Sequence, residues 1–539
     1  MVETLLASLG FTFLLTMRFW LVYIDFSHLN LFHALLPASR SIEALLIDIF
    51  CIWLLISCCL FAIDRLMPKL APGVWACISA IGIWCVAYLF LADYLMTHYG
   101  GPAEAPHWYY TALEFLLRAK AMMFLLGLVL ALGLAMAAPR LTNAMRHVSR
   151  AALALFGFST LWIVPYQWHL AAAGATPDRN SFTSAAVQVQ HKPHSRLIWI
   201  LLDELSYDQA FDHHPAGVNL PNLDHFRATS FSFGDVEPIG YYTDRIIPSI
   251  LIGRPIHEIR STLQGSLQYV DEEQHRWVDF DPKQSLFALA RANGWSTGVA
   301  GDYNPYCRMF EAELDSCFWE PMNKLPLQVS MDPENDTVLG DALSLPGNYL
   351  ARIKPKGSSW RGDSAEALRD LLPRAQQLIA DDHIDFLFLH FLVPHPPGFY
   401  NRKTHTLGAG GDYLDNLVLA DNLLGELMKQ IEQTPSNEPT TIIVSSDHSW
   451  RVPLWKSTIF WNEEDERATG GHFDTRPVLL VHFPGQKEGK DIETAESEMA
   501  LHDMITQILE GKVAEAADFE RLLNTPDDRP DSAVGQAGR

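Results

Sequence analysis

Basic residues are scarce in this chain of 539 residues: 40 lysines and arginines stand against 63 aspartates and glutamates, a formal net charge of −23. No segment collects lysine and arginine into a block. Contacts to nucleic-acid phosphates need clustered basic side chains, so this composition excludes nucleic acid as a partner.

Charge of either sign is nearly absent up to residue 175, which holds only 8 acidic and 9 basic side chains. A membrane span needs about 20 consecutive apolar residues. Five segments of this region meet that requirement, at approximately 4–24, 44–63, 74–95, 121–138 and 151–170. The first lacks a basic n-region and a small-residue cleavage site, which favours an uncleaved anchor over a signal peptide. We therefore predict a transmembrane domain of five helices over residues 1–171.

The short loops between these segments predict the orientation. Basic residues mark the cytoplasmic side of a membrane protein. The loops after the second and fourth segments carry five of them (Arg65, Lys69, Arg140, Arg146 and Arg150), and the alternate loops carry three. This bias favours a cytoplasmic N-terminus, and five crossings then place everything after residue 170 outside the cytoplasm.

Cysteine is also rare, with seven in the chain, and five of these fall in the apolar region, where a thiol behaves as a small hydrophobe. Only Cys307 and Cys317 belong to the remainder. If that part lies outside the cytoplasm, the pair can form a disulfide, and the alternative is two unbonded thiols. No second Cys/His pair accompanies them, which excludes a zinc-finger pattern.

The remainder of the chain alternates apolar strand-like runs with helical patterns. The strand candidates are 196–202, 296–300, 384–389, 440–444 and 477–481, and the helical patterns are near 285–293, 364–381 and 413–432. Such alternation predicts a doubly wound, mostly parallel sheet with helices on both faces. We expect a linker at 172–195, a catalytic α/β domain at 196–512 and a poorly ordered tail at 513–539.

Polar residues follow three of these strands directly. Asp203 and Glu204 follow the first, His390 follows another with His395 close behind, and Asp447 and His448 follow a third. Ligands of open α/β sheets bind beyond the carboxyl ends of the strands, and carboxylates with imidazoles suit a divalent cation. Taken singly, Asp447 can be a turn cap and His390 a structural histidine. Together these residues predict one metal site.

An acidic pair after an apolar strand also occurs in P-loop ATPases. Those enzymes need a G-x-x-x-x-G-K-[ST] loop for the nucleotide phosphates, and this chain contains none. The ATPase interpretation is therefore excluded.

The order of the motifs resembles a known family. In chain order they are Asp203-Glu204, Tyr242-Thr243-Asp244-Arg245, His390-Phe391-Leu392-Val393-Pro394-His395, Ser446-Asp447-His448-Ser449 and the segment 476–486. This set resembles the sulfatase-like hydrolases and transferases of the alkaline phosphatase superfamily. With five membrane helices, the chain is similar to the phosphoethanolamine transferases and lipoteichoic acid synthases of bacterial membranes. The resemblance implies an alkaline-phosphatase-like fold, a multi-pass location in the bacterial inner (plasma) membrane and a periplasmic catalytic domain.

The resemblance also implies roles for individual residues. Thr243 would be the nucleophile. A divalent metal, zinc or manganese, would be held by Glu204, Asp447, His448 and the Thr243 oxygen, with Asp203 as a further ligand. The substrate contacts would be His390, His395 and, by its place before the last strand, His472. The chain departs from the family pattern at Ser449, where glycine is usual, and at His482, where related sequences often show lysine.

The residue at the nucleophile position separates two reaction classes. Sulfatases of this family convert a cysteine or serine in [CS]-x-P-x-R to formylglycine, whereas this chain has Thr243, with Pro248 five positions later. Threonine cannot form formylglycine, but its metal-activated hydroxyl suits attack on phosphorus, and a histidine such as His395 could protonate the leaving alcohol.

We therefore predict transfer of a substituted phosphate, such as phosphoethanolamine or phosphoglycerol. The donor would be a phospholipid and the acceptor a cell-envelope glycan or lipid. Two alternatives remain open: hydrolysis of a phosphate or sulfate ester, and a non-catalytic envelope assembly protein in which Thr243 is an ordinary loop hydroxyl.

Overall fold

The structure is a computed structural model. It describes residues 2–16, 32–33, 39–66, 120–137, 151–158 and 180–183, isolated positions between 77 and 168, and residues 195–524 except for gaps at 216, 263–265, 272–274, 323–336, 345–359, 409, 435–438, 457 and 459. Most of the predicted span at 74–95, the end of the one at 4–24 and part of the one at 151–170 lie outside these residues.

Three apolar helices are described before residue 140: α1 (Val2–Leu15), α2 (Ser39–Leu66) and α3 (Lys120–Ala137). Within α2, Ile42–Ile63 is long and apolar enough to cross a membrane, with a mean hydropathy of 2.6, and it is the only such segment among the described residues. A shorter apolar segment lies in α1 at Thr4–Leu15. The five-helix membrane domain thus remains a prediction.

Small residues bring the first helices together. The hydroxyl oxygens of Ser8 on α1 and Ser57 on α2 lie 2.7 Å apart. At Gly10, an added Cβ would stand 2.1 Å from the carbonyl oxygen of Leu153, so only glycine permits this backbone approach. Such close contacts between small residues are typical of helices that pack in lipid, where no hydrophobic force drives association.

The rest of the chain forms an α/β domain. Its strands are β1 (Ser181–Thr183), β2 (Arg196–Leu202), β3 (Phe231–Phe233), β4 (Val236–Glu237), β5 (Ile259–Ser261), β6 (Leu267–Asp271), β7 (Arg276–Asp279), β8 (Thr297–Tyr303), β9 (Ser316–Pro321), β10 (Phe386–Phe391), β11 (Tyr400–Asn401), β12 (Thr406–Leu407), β13 (Thr440–Ser445), β14 (Leu479–His482), β15 (Lys490–Ile492) and β16 (Glu496–Ser497).

Its helices are α4 (Pro221–Ala228), α5 (Thr243–Ile252), α6 (Leu286–Ala292), α7 (Tyr306–Met309), α8 (Trp360–Ala380), α9 (Tyr413–Gln433), α10 (Val452–Trp455), α11 (Glu463–Thr469), α12 (Ala500–Leu509) and α13 (Ala516–Asn524). Short π and 3-10 turns occur at Asp208–Asp212, Pro282–Gln284 and Glu311–Glu313.

The main sheet has the order β1-β9-β8-β10-β2-β13-β14-β3-β15 in the part of the chain that the structure describes. Five adjacent strands at its centre, from β9 to β13, are all parallel. The strands β1 and β14 join antiparallel to their neighbours β9 and β13. The prediction of a doubly wound, mostly parallel sheet is confirmed.

The central strand β2 shows why both faces of the sheet are covered. All seven of its residues are buried. Leu197, Trp199 and Leu201 pack into one hydrophobic layer with α5, α6 and α12, and the alternate apolar residues pack into a second layer with α4, α8 and α9. A strand that is apolar on both faces stabilises the fold only between two such layers.

Two predicted boundaries differ in the structure. The expected linker at 172–195 contains β1, which pairs with β9 at the sheet edge. The expected tail at 513–539 begins with α13, whose Phe519 is completely buried against Phe231 and Phe483. Composition predicted a disordered tail, but one buried aromatic side chain on an amphipathic helix is enough to attach this segment to the core.

Candidate metal centre and nucleophile

Four parallel strands end at one edge of the sheet and bring polar residues together there. Pairing of β10 with β2 and β8 sets His390 beside Leu201 and Gly301. Pairing of β13 with β2 sets Ser445 beside Leu201 as well. The polar residues at and after these strand ends therefore share one place: Asp203 after β2, Asp302 and Asn304 at the end of β8, His390 in β10, and Asp447 and His448 after β13.

Four of these side chains face one another at short distances. His448 Nε2 lies 3.2 Å from Asp447 Oδ2 and 3.7 Å from Asp203 Oδ1. His390 Nε2 lies 3.9 Å from Asp203 Oδ2, and Thr243 Oγ1 lies 3.4 Å from His448 Nε2. All five residues are buried. Residues separated by more than 240 positions in the chain thus meet in one cluster.

The donor atoms of this cluster fit a divalent cation. Among the described residues, Asp203 Oδ1, Asp447 Oδ2 and His390 Nε2 are buried without a hydrogen-bond partner. Unpaired buried polar atoms are rare, and three in one cluster need an explanation. A cation between two carboxylates and imidazole nitrogens would satisfy them, and such ligands suit zinc or manganese.

The pKa values of the Asp203 and Asp447 carboxyl groups also indicate a cation site. Burial and the nearby Asp447 carboxylate raise the pKa of Asp203 well above its ordinary value. Burial alone would also raise the pKa of Asp447, but the His448 imidazole, the Thr243 hydroxyl and the nearby His390 and Arg451 together outweigh burial and lower that pKa. A bound cation would relieve the repulsion between the two carboxylates.

Glu204 has different surroundings from Asp203. Its Oε1 accepts hydrogen bonds from the Arg451 backbone N–H at 2.7 Å and from Trp455 Nε1 at 2.7 Å. Its Oε2 accepts one from Arg451 Nη2 at 3.2 Å. Even so, the potential ligand atoms of three residues, Asp203, Glu204 and His448, all lie within 4.8 Å of one another. Arg451 and Trp455 thus engage the Glu204 carboxylate, whereas Asp203 Oδ1 has no hydrogen-bond partner among the described residues, and the assignment of Glu204 and Asp203 as ligands stays a prediction.

Arg451 also determines which ring nitrogen of His395 carries the proton. The nitrogens Arg451 Nη2 and His395 Nε2 lie 2.8 Å apart. A guanidinium only donates, so His395 Nε2 accepts this bond and the ring proton must be on Nδ1. Burial lowers the pKa of His395 to about 4, so the ring is neutral. In this arrangement Nδ1 is the nitrogen of His395 that can donate a proton, and the predicted role of His395 as a proton donor to the leaving alcohol stays a prediction.

His390 is held by Tyr306. The Tyr306 hydroxyl lies 2.7 Å from His390 Nδ1, and Tyr306 begins the short helix α7. Burial lowers the pKa of His390 to about 4. A neutral imidazole that offers Nε2 to a metal carries its proton on Nδ1, which then donates to the Tyr306 oxygen. The expected place of His390 at the site agrees with this geometry.

Thr243 is the first residue of α5. Negative charge is stabilised at a helix N-terminus, where backbone N–H groups are free to donate. The side chain of Asn304 donates to the Thr243 carbonyl oxygen at 3.3 Å and so fixes this end of the helix. A reactive oxygen at this position gains stabilisation from the helix as well as from any bound cation.

A comparison with models of protein families identifies the family of this chain. The model of the sulfatase family matches residues 195–511, more than half of the chain. The chain belongs to the sulfatase family. Its membership makes it an enzyme of the phosphotransferase or sulfuric-ester hydrolase kind, and it confirms the resemblance drawn from the motifs.

Several solved structures are similar to this sulfatase-family chain. Ps i-CgsB in complex with k-i-k-neocarrahexaose shares 17% identity, covers 61% of this chain and 74% of its own, and gives a TM-score of 0.39. The phosphonate monoester hydrolase of Agrobacterium radiobacter shares 16%, covers 58% and 73%, and gives 0.33. The lipoteichoic acid synthase LtaP from Listeria monocytogenes shares 11%, covers 60% and 73%, and gives 0.37. No curated protein matches.

Two further predictions concern the disulfide and the substrate contact of His472. Cys307 and Cys317 are joined by a disulfide, with their Cα atoms 5.6 Å apart. His472 is exposed on the loop before β14, and no described contact joins its ring to the metal centre. The ring of His482 contacts a backbone group outside the metal centre, because its Nδ1 lies 2.8 Å from the Thr229 carbonyl oxygen.

Sequence reasoning missed Arg451, Asn304 and Tyr306. The rule that located Asp203 also applies to β8, because polar residues follow that predicted strand, and it would have found Asn304. Arg451 comes four positions after Asp447, and only its contacts reveal its role. Tyr306 carries no sequence signal, because its function depends on a histidine 84 positions away.

Proposed function

We propose that this protein is a membrane-anchored, metal-dependent transferase. It would move a substituted phosphate, such as phosphoethanolamine or phosphoglycerol, from a phospholipid to a cell-envelope glycan or lipid through a phospho-threonine intermediate. The observation that carries the proposal is the Thr243 hydroxyl at a helix N-terminus, 3.4 Å from His448 Nε2, in the place where formylglycine-dependent sulfatases need cysteine or serine.

Asp203, Asp447 and His448 would hold the cation, zinc or manganese, with His390 as a further nitrogen ligand. A divalent cation supplies positive charge that favours deprotonation of a nearby hydroxyl and neutralises phosphate oxygens. Asp203 and Asp447 carry enough negative charge to retain it, and His390 and His448 are neutral imidazoles with nitrogens directed to the same space.

The proposed reaction has two steps. The Thr243 oxygen, having lost its proton to solvent, forms a bond to phosphorus, and the bond from phosphorus to the glycerol oxygen of the lipid breaks. The glycerol oxygen takes up a proton, and diacylglycerol leaves. An acceptor hydroxyl then attacks phosphorus, loses its proton and releases Thr243. The Nδ1–H of His395 would donate to a phosphate oxygen in both steps.

Membrane anchoring is supported by the surface of the N-terminal helices. Leu55 and Leu66 of α2, Leu130 of α3 and Leu155 are each more than half exposed. Soluble proteins rarely expose large apolar patches, and a lipid environment would cover these side chains. The disulfide of the catalytic domain supports a location outside the cytoplasm, because disulfides persist in oxidising compartments.

The test is to incubate the full chain, loaded with zinc or manganese, with vesicles of phosphatidylethanolamine and phosphatidylglycerol. We expect a headgroup-phosphate adduct on Thr243 by peptide mass spectrometry, together with released diacylglycerol. Thr243→Ala should abolish the adduct and lower diacylglycerol release at least about a thousandfold, while Thr243→Ser should keep both at a reduced rate. Diacylglycerol release without an adduct on Thr243, or no release at all, contradicts the proposal. Headgroup phosphate released only into water, with no acceptor product, favours the hydrolase.

A further inference from the structure

Two residues ahead of the membrane-length helix α2 pack on the catalytic domain. The side chain of Phe32 is 1% exposed and belongs to the hydrophobic layer on one face of the sheet. The Arg308 guanidinium donates to the Phe32 carbonyl oxygen at 2.9 Å. His33, also 1% exposed, lies with its ring 4.0 Å from the ring of Tyr303, and its Nδ1 is 3.2 Å from the Tyr303 carbonyl oxygen. We call Phe32 and His33 the docking pair.

The docking pair reaches the strand end that borders the metal centre. Tyr303 is the last residue of β8, and its φ of +69° is in the left-handed region that non-glycine residues rarely adopt. The next residue, Asn304, donates to the Thr243 carbonyl oxygen. Burial and the carboxylates of Asp244 and Asp203 raise the pKa of the Tyr303 phenol, so that ring is near the acidic cluster. The docking pair thus packs against the strand end that borders the metal centre.

A second contact ties the start of α2 to the same domain. Arg40 Nε lies 2.5 Å from Asp341 Oδ2, and the Asp341 side chain is almost completely buried. The apolar segment Ile42–Ile63 begins two residues later. Because a helix rises about 1.5 Å per residue, the catalytic domain must lie within a few ångströms of the point where this segment would enter the membrane.

We propose that the docking pair holds the metal centre at the bilayer surface, so that the enzyme takes its phosphoester substrate from the lipid headgroup layer and not from solution. This inference rests on the proposed function, which it deepens by assigning the way the donor is presented. Phe32 and His33 are positioning residues: they hold the catalytic domain beside the start of α2, and neither has a described contact with the metal centre or Thr243.

The chemistry of the pair fits a permanent contact. Phe32 contributes apolar surface to the core, and burial lowers the pKa of His33 to about 4, so its ring is uncharged at neutral pH. An uncharged ring can pack against Tyr303 beside the Arg308 guanidinium without repulsion. Nothing in this contact depends on a ligand, so the pair should be docked before substrate binds.

The test compares lipid with a soluble substrate in full-length variants. Phe32→Ala and His33→Ala should lower turnover of phosphatidylethanolamine and phosphatidylglycerol vesicles at least about tenfold and leave hydrolysis of soluble bis(p-nitrophenyl) phosphate in detergent within about twofold of wild type. Phe32→Leu should restore most of the lipid activity. Leu343→Ala, which removes an exposed apolar side chain from the same domain, is the matched control and should behave as wild type.

Amide hydrogen exchange gives a readout that does not depend on activity. Exchange over 303–308 should rise in Phe32→Ala and stay unchanged in Leu343→Ala. Equal loss of both activities, or loss of neither, overturns the proposal, as does unchanged exchange. If the wild-type enzyme cleaves the soluble diester but no lipid, the proposed function fails, and the proposal that the donor is presented at the bilayer fails with it. Increased exchange in Phe32→Ala would then still show that the docking contact exists.

Discussion

At the scale of single residues, the neighbouring carboxylates Asp203 and Glu204 have opposite surroundings. Asp203 has a buried oxygen with no hydrogen-bond partner among the described residues, while Glu204 is paired with Arg451. We expect Asp203→Asn to weaken metal binding by more than the roughly 10–100-fold that loss of an outer hydrogen-bond partner costs. Glu204→Gln should leave metal content nearly unchanged and lower the free energy of unfolding by about 3–5 kcal/mol, because it leaves the Arg451 charge buried without its partner.

Metal content by mass spectrometry and unfolding in denaturant measure these two effects separately. Glu493→Gln, which changes an exposed glutamate, serves as the control for both. Loss of metal from the Glu204 variant together with retention in the Asp203 variant would show that Glu204 is the ligand, as the sequence predicts, and would contradict our expectation.

Arg451 gives a second prediction at this scale. It donates to Glu204, to His395 Nε2 and, at 3.2 Å, to the carbonyl oxygen of Tyr241. Arg451→Gln releases His395 from its fixed tautomer, so we expect kcat for a soluble diester to fall about 10–100-fold with metal content retained. Arg451→Lys keeps a donor and should recover part of that loss. A variant that loses its metal instead would show that Arg451 holds the metal ligands and does not orient His395.

The ligand residues show what a sequence can predict at this scale. Asp447 and His448 follow a strongly apolar strand, and that local pattern was enough to place them at the sheet edge. The choice between Asp203 and Glu204 was not available from local pattern, because it depends on Arg451, which is 247 positions from Glu204 in the chain. Local sequence patterns predict at which strand end a side chain lies. Its role there depends on contacts with residues that are distant in the sequence.

At the scale of elements, four of the five central parallel strands were predicted within two or three residues, whereas β9 and the edge strands β1 and β15 were not predicted. β2 has the predicted bounds 196–202, and β13 extends the predicted 440–444 by one residue. Long apolar runs specify strands that are buried on both faces. The edge strands β1 and β15 have three residues each and are largely exposed, so only pairing with the rest of the sheet makes them strands.

The disulfide joins two elements, the short helix α7 and the strand β9, across a sequence separation of 10 residues. Closing a loop of this size restricts the unfolded chain, so the double variant Cys307→Ala/Cys317→Ala should lose about 2–3 kcal/mol of unfolding free energy. Denaturant unfolding of the detergent-solubilised chain checks this value. Cys58→Ala removes an unbonded cysteine on α2 and should have little effect. Equal stability of wild type and the double variant would contradict the expected contribution.

At the scale of the whole molecule, the predicted topology places the C-terminus outside the cytoplasm. We expect the chain to remain in the membrane fraction after alkaline carbonate extraction, and a C-terminal tag to be digested by protease added to intact spheroplasts. An N-terminal tag should be protected until the membrane is opened. Release by carbonate, or protection of the C-terminal tag, would contradict the five-span arrangement.

Whole-molecule arrangement was the least predictable from the sequence. The apolar segments indicated a membrane region and the strand pattern indicated a catalytic domain, but nothing indicated how they meet. Phe32 and His33 belong to no periodic pattern, and their contacts with Tyr303 and Arg308 join residues about 270 positions apart. Such contacts are set by the packed surface of the domain and leave no local mark in the sequence.

Tyr306, which supports His390 in the metal centre, is covalently next to the half-cystine Cys307. A newly synthesised chain in a reducing cytoplasm would lack the cross-link beside that tyrosine. If the catalytic domain lies outside the cytoplasm, as we propose, oxidation after translocation would fix the chain beside that tyrosine, and maturation of the enzyme would be coupled to its export.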